Sequence, residues 1–395
     1  MRLIKGFSSL VRGTTLAALY MVCFAGGAIG QTAKPLVDIP FAGTMATTGA
    51  LSDIYVGMYR AMALALAENE KKLAAAGWRI PKDGLFSNED TQQRVDRALP
   101  AYQLQYGRGA RLIASMITPI VTAQAQAAKR DGVLIFGPYL QGPELTDVDN
   151  LLVGMVLADI EARPLAVFAA KSLAAKTAAV IFVDDKYGSQ TAEAFKKVFE
   201  QNGSKVVAEL PIPSNPVDFR NEATRIGVMK PDLVFIVHRG GYRLVIETLR
   251  DTGYDGQFLA GSAALVAGAL PGVGATGKGM VVSTITGTEK DFKGFYARYK
   301  ARWGQEPPAG SIAINYAATE ILVAALVKTP PSKEFDAKAF EKTWMGLGTV
   351  KTLLGPAKVA GRSVIYPLNL ETLKPDGSLQ RIGSCTLEKC ERARR

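Results

Sequence analysis

Histidine is nearly absent from this chain of 395 residues: His238 is the only one. Cysteine and tryptophan are scarce too, at three each. A single imidazole excludes catalytic or metal centres built on pairs of histidines. His238 also has no Gly-x-Ser-x-Gly elbow to serve, so a Ser/His/Asp hydrolase is excluded. Three thiols are too few for a disulfide scaffold. Beyond the N-terminal segment, no uninterrupted apolar run approaches the roughly 20 residues that span a bilayer, so the remaining chain is expected to be soluble.

The N-terminal segment reads as an export signal. Arg2, Lys5 and Arg12 give a positive start without an acidic residue, an apolar run follows from Thr15 to Gly27, and Ala28-Ile29-Gly30 offers a small-x-small cleavage pattern. Residues 1–30 are expected to be removed, and Cys23 with them; a retained N-terminal anchor is the alternative. The net charge of +11 is spread along the chain rather than clustered with aromatics, which argues against a nucleic-acid partner. Arg392, Arg394 and Arg395 read as a small solvated basic tail. Cys385 and Cys390 are close enough in sequence for a local disulfide, and an oxidising compartment would permit it.

Strand-like and helix-like segments alternate, which implies parallel sheets with helices on both faces. The first series predicts strands over 35–41, 78–86, 110–114 and 132–136, and helices over 51–72, 91–106 and 120–129. The second is more regular. Strands are predicted over 178–183, 206–212, 232–237 and 257–261, and helices over 190–201, 219–228 and 242–251. A strand over 280–284 and helices over 291–303, 312–327 and 335–345 follow. From Thr349 onward Pro356, Pro367 and Pro375-Asp376-Gly377 break the pattern, and a small β appendage is expected.

Two motifs fail on context. Gly272-Val273-Gly274-Ala275-Thr276-Gly277 matches a dinucleotide fingerprint, but a strand follows it where a helix is needed. Gly277-Lys278-Gly279 lacks the Ser or Thr of a phosphate loop. Asp184-Asp185 ends a strand and reads as a helix start opposing the dipole, although paired carboxylates can also act as acid and base. His238 follows a strand, as a pocket residue or as a structural one.

Several stretches together resemble the type I periplasmic solute-binding proteins of branched-chain amino acid (leucine/isoleucine/valine) ABC transporters. They are Ala178–Asp184 followed by Asp185-Lys186-Tyr187-Gly188, Asn202-Gly203 leading into Val206–Glu209, Asp218-Phe219-Arg220, Lys230–Phe235, Gly142–Asp147 and Asn315–Ala318. The resemblance covers nearly the whole chain after the signal. It implies two doubly wound parallel-sheet lobes with a ligand cleft between them and three hinge crossings. It assigns 31–155 with 284–345 to the first lobe, 156–283 with 346–382 to the second, and leaves 383–395 as a C-terminal tail.

The resemblance further implies no catalysis and no cofactor. It implies a monomer in the periplasm that binds an amino acid or related carboxylate and delivers it to an inner-membrane ABC permease. A sensing module of the same fold, signalling to a membrane partner, is the alternative. The positions it marks for ligand contact are Ser115, Met116, Ile117 and Thr118; Tyr139, Leu140 and Gln141; Tyr187; and His238, Arg239 and Ser262. Amino-acid binders carry an acid just after the strand ending at Gly261, to pair with the ligand ammonium, whereas this chain has Ser262-Ala263-Ala264. The loop from Thr44 to Leu51 also lacks an aromatic that some members use. A ligand without an amino group is therefore expected. Arg239 either binds its carboxylate or faces water.

Overall fold

The structure is a computed structural model. It describes residues 35–49, 51–214, 218–265, 270, 273–285, 289–332, 334–386 and 390–393. The expected export signal, Cys23 and the end of the basic tail lie outside these residues.

Four short strands, β2 (Phe41–Gly43), β4 (Leu112–Ala114), β5 (Leu134–Gly137) and β6 (Leu151–Val153), form a parallel sheet in chain order. All but their ends are apolar and buried on both faces, as parallel sheets require. Beside them β1 (Val37–Asp38) pairs with β3 (Trp78–Arg79). The helices of this half are α1 (Ser52–Glu68), α2 (Glu70–Ala75), α3 (Ala98–Gly107) and α4 (Thr118–Arg130). The predicted strand over 78–86 shrinks to two residues, because Pro81 opens a 3-10 turn at Lys82–Gly84. The predicted helix over 91–106 begins at Ala98, after another 3-10 turn at Val95–Arg97.

The chain then crosses through α5 (Ala158–Lys171), a helix that the sequence pattern did not announce, since Pro164 lies inside it. A second sheet follows. Strands β7 (Thr177–Val183), β8 (Lys205–Ile212), β9 (Leu233–Val237), β10 (Gln257–Ala260) and β11 (Val281–Ile285) are parallel, in the spatial order β8-β7-β9-β10-β11. Helices α6 (Lys186–Gln201), α7 (Arg220–Met229) and α8 (Tyr242–Asp251) link them. Alternate residues of β7 and β9 enter different cores: Val180 and Phe235 on one face, Ile181 and Ile236 on the other. This is the period-2 signature of a strand covered on both sides.

Helices α9 (Glu289–Trp303), α10 (Ile312–Lys328) and α11 (Ala337–Met345) come next. The three-stranded antiparallel sheet of β12 (Thr349–Thr352), β13 (Gly355–Ala360) and β14 (Ser363–Ile365) lies against the first half. There the Val153 N–H donates to Arg362 O at 2.8 Å, and the Tyr366 hydroxyl donates to Gly154 O at 3.0 Å. This sheet is the small β appendage expected after Thr349, but it sits on the first half, whereas the resemblance assigned 346–382 to the second; residues 383–392 are not a tail. Strands β15 (Leu368–Leu373), β16 (Leu379–Cys385) and β17 (Cys390–Arg392) extend the second sheet antiparallel to β11. Pairing there satisfies backbone groups that a free edge of β11 would leave open. Cys385 and Cys390 are joined by a disulfide across the β16–β17 turn.

Candidate ligand cleft

Parallel strands deliver their following loops to one edge. In the first half β4 ends at Ala114 and is followed by Ser115–Ile117, with α4 starting at Thr118 and Pro119 in its first turn. β5 ends at Gly137 and leads to Tyr139, Leu140 and Gln141. In the second half the order β8-β7-β9 makes a switch point between β7 and β9, where the connections leave in opposite directions. Asp185 and Tyr187 follow β7, and Arg239 follows β9, so they flank that crevice.

These loops meet in a cleft of about 510 Å³. Met116, Ile117, Thr118, Tyr139, Leu140, Gln141, Tyr187 and Arg239 all line it, which brings together eight of the sequence-predicted positions. The sequence reading missed the face of α1 that completes it: Leu51, Ile54, Tyr55 and Met58. Their helical spacing was a usable signal. Tyr55, one turn into the helix, brings an aromatic ring to the lining that the preceding loop does not offer. Leu51 holds a left-handed backbone, with φ 61° and ψ 17°, at the mouth of the cleft. Such strain in a non-glycine residue recurs at ligand clamps.

Asp185 is the N-cap of α6, its Oδ1 accepting from the Gly188 N–H at 2.9 Å. Its Oδ2 accepts from Arg239 Nη1 at 2.5 Å. The Arg239 guanidinium lies 4.1 Å over the Tyr187 ring. Tyr187 reaches the cleft because Gly188 lets α6 press on the end of β7; a Cβ there would meet Val183 O at 1.8 Å. Burial raises the Tyr187 phenol well above its ordinary value, and the nearby carboxylates of Glu161, Asp185 and Glu144 add to this against the Arg239 charge. Glu144, also missed, lines the cleft with a buried Oε2 that has no hydrogen-bond partner in the protein. Its carboxylate folds back over Gly142, where a Cβ would stand 2.6 Å from it.

Three predicted positions lie off the cleft lining. Ser115 is fully buried at the end of β4, and its hydroxyl has no protein partner. His238 is buried with both ring nitrogens engaged: Nε2 faces Pro213 O at 3.3 Å, and Nδ1 accepts from the Gly240 N–H at 3.1 Å. Ser262 meets the acid that the sequence lacked after Gly261, which comes instead from the crossing helix. Glu161 Oε1 accepts from the Ser262 N–H at 2.8 Å and from the Ser283 hydroxyl at 2.6 Å; its Oε2 accepts from the Ser262 hydroxyl at 3.0 Å. Gln141 Nε2 donates to Ser262 Oγ at 2.9 Å and tethers this cluster to the first half. Burial raises the Glu161 carboxyl, while the serine donors pull it back.

The sequence model of the periplasmic binding protein family matches residues 38–365. The chain belongs to the periplasmic binding protein family. Solved members share its type I fold. A leucine binding protein from Thermotoga maritima is 20% identical, with a TM-score of 0.72 over 89% of this chain and 99% of its own. An ABC-transporter solute binding protein from Rhodopseudomonas palustris, solved with p-hydroxybenzoic acid, is 18% identical, with a TM-score of 0.73 over 89% of this chain and 97% of its own. A branched-chain amino acid transporter binding protein from Streptococcus pneumoniae, solved with isoleucine, is 16% identical, with a TM-score of 0.68 over 91% and 99%. No curated protein sequence matches the chain. Within the family's fold, the cleft of this periplasmic binding protein joins an apolar helix face from one half to a charged crevice from the other.

Proposed function

We propose that the chain is an exported solute-binding protein. It captures an amino acid or related small carboxylate in the cleft and hands it to an inner-membrane ABC permease. The observation that carries this reading is the convergence of strand-end loops from both sheets on one cleft, so a bound solute touches both halves and favours their closure. The solved relatives that hold isoleucine and p-hydroxybenzoic acid support a small carboxylate as the solute class.

In this reading the N-terminus of α4 and the turn before it receive the carboxylate, since unsatisfied N–H groups and the helix dipole favour an anion. The unpartnered Ser115 hydroxyl behind that turn is an available donor. Tyr187 and Tyr55 wall the side chain. Arg239 is already paired with Asp185, so it acts by holding Tyr187 rather than as a free carboxylate receptor. Glu144 supplies the counter-charge for an ammonium, reversing the expectation drawn from Ser262-Ala263. A thermal-shift screen of the purified chain over amino acids, aromatic acids and short organic acids tests the reading: at least one class raises the melting temperature. No shift with any of them contradicts it.

A further inference from the structure

A second cavity of about 250 Å³ lies behind the cleft, near the segments that pass between the sheets. Its walls are largely apolar, with Met155, Ile285, Phe292, Ile314 and Leu379 among them, and Glu371 is the one charged residue in the lining. That is more room than the cavity of about 150 Å³ that accepts benzene in an engineered protein core. One residue lines both spaces: Tyr139. Ser311 lines the second cavity beside it, and burial pushes the Tyr139 phenol up to about 12. A second link is the Gln141–Ser262 hydrogen bond, which joins a residue lining the cleft to one lining the second cavity.

We propose that Tyr139 is a partition that sets the length of ligand the protein accepts, and that the second cavity is a latent compartment for the apolar arm of a longer carboxylate. The proposal rests on the reading of the cleft as the site of a small carboxylate and adds what limits that carboxylate's size. With the ring in place between the two spaces, an arm longer than a leucine side chain meets the phenol. Without it, the arm enters a space already lined for apolar contact. Each methylene buried there is worth about fourfold in affinity.

The test is calorimetric titration of the wild type, Tyr139→Ala, Tyr139→Phe and the double variant Tyr139→Ala/Ile314→Trp. The ligands are leucine and 2-aminooctanoate, and their amine-free counterparts 4-methylpentanoate and octanoate. Thermal melts check that each variant is folded. The expected result is a long-to-short affinity ratio at least about tenfold higher in Tyr139→Ala than in the wild type. Tyr139→Phe, which keeps the ring and loses only the hydroxyl, moves the ratio less. Ile314→Trp refills the compartment and returns the ratio to the wild-type value. An unchanged ratio with normal binding of the short ligands overturns the partition alone, and so does a gain that Ile314→Trp does not remove. Wild-type protein that binds none of the four ligands overturns the cleft reading, and the partition with it.

Discussion

One wall of the cleft is nearly uncharged and the other is not. The first half presents Leu51 and, on α1, Ile54, Tyr55 and Met58, with Met116–Thr118 at the start of α4; the second presents Asp185 and Arg239 around Tyr187. Glu144 is the one charge on the first side. The difference follows from how each wall is built. A helix face offers shape, and α1 is packed against α10. A switch-point crevice reads charge, because strand ends there hold polar loops in place. Carboxylates also divide into two kinds. Asp185 is open to solvent and paired with Arg239, whereas Glu161 is buried and saturated by neutral donors.

The largest way to break this contrast is at the buried acid. Glu161→Ala strands the Ser262 N–H and the Ser262 and Ser283 hydroxyls without an acceptor, at a cost of roughly 3–4 kcal/mol. Urea denaturation checks it, and Glu161→Gln recovers most of the loss.

The first half hides its charge behind the wall. Glu320 on α10 accepts from the Leu353 N–H at 2.6 Å. Burial foremost raises its carboxyl to about 7 from an ordinary 4.5. The folded protein therefore holds a proton that the unfolded chain releases between those values. The stability linked to Glu320 is complete below about 4.5 and is lost as pH rises through about 7. The loss amounts to roughly 3 kcal/mol across that window. Glu320→Gln removes this slope, which denaturation across the same pH range will show.

A smaller effect tests the lone charge of the first wall. Leucine should bind at least about tenfold more tightly than its 2-oxo analogue, a difference of ~1.4 kcal/mol. Glu144→Gln should abolish the preference. Tighter binding of the 2-oxo acid restores the expectation drawn from Ser262-Ala263.

The smallest effect is on stability at the open pair. Arg239→Ala should change folding stability by less than about 1 kcal/mol, since both partners are solvent-exposed. Its cost falls on ligand affinity instead, through release of the Tyr187 ring.

The second half was the more legible in the sequence. Its βα units are regular, Gly203 and Gly253 end helices where the pattern places them, and the helix predicted over 242–251 matches Tyr242–Asp251. Tyr187 and Arg239 were marked by the family resemblance, and their places just after apolar strands agreed with it. Glu161 was invisible, because its helix contains Pro164 and because its partners Ser262 and Ser283 are remote in sequence. Ser262 was read as the absence of an acid, when a hydroxyl and an N–H at that position accommodate a carboxylate from elsewhere. The α1 wall was overlooked for another reason: its apolar spacing served equally well as core, and only the fold shows which turn faces the cleft. Strands β15–β17 were obscured by the prolines around them, and their antiparallel pairing depends on an open edge that only the assembled sheet presents.

The measurement closest to the central claim is calorimetric titration of leucine, or of the tightest ligand from the screen, into the wild type and one variant from each wall, Tyr55→Ala and Tyr187→Ala. A cleft that closes both halves on one solute predicts one-to-one binding in the wild type, weakened by roughly 1–3 kcal/mol in each variant. Binding that survives both substitutions unchanged would contradict it.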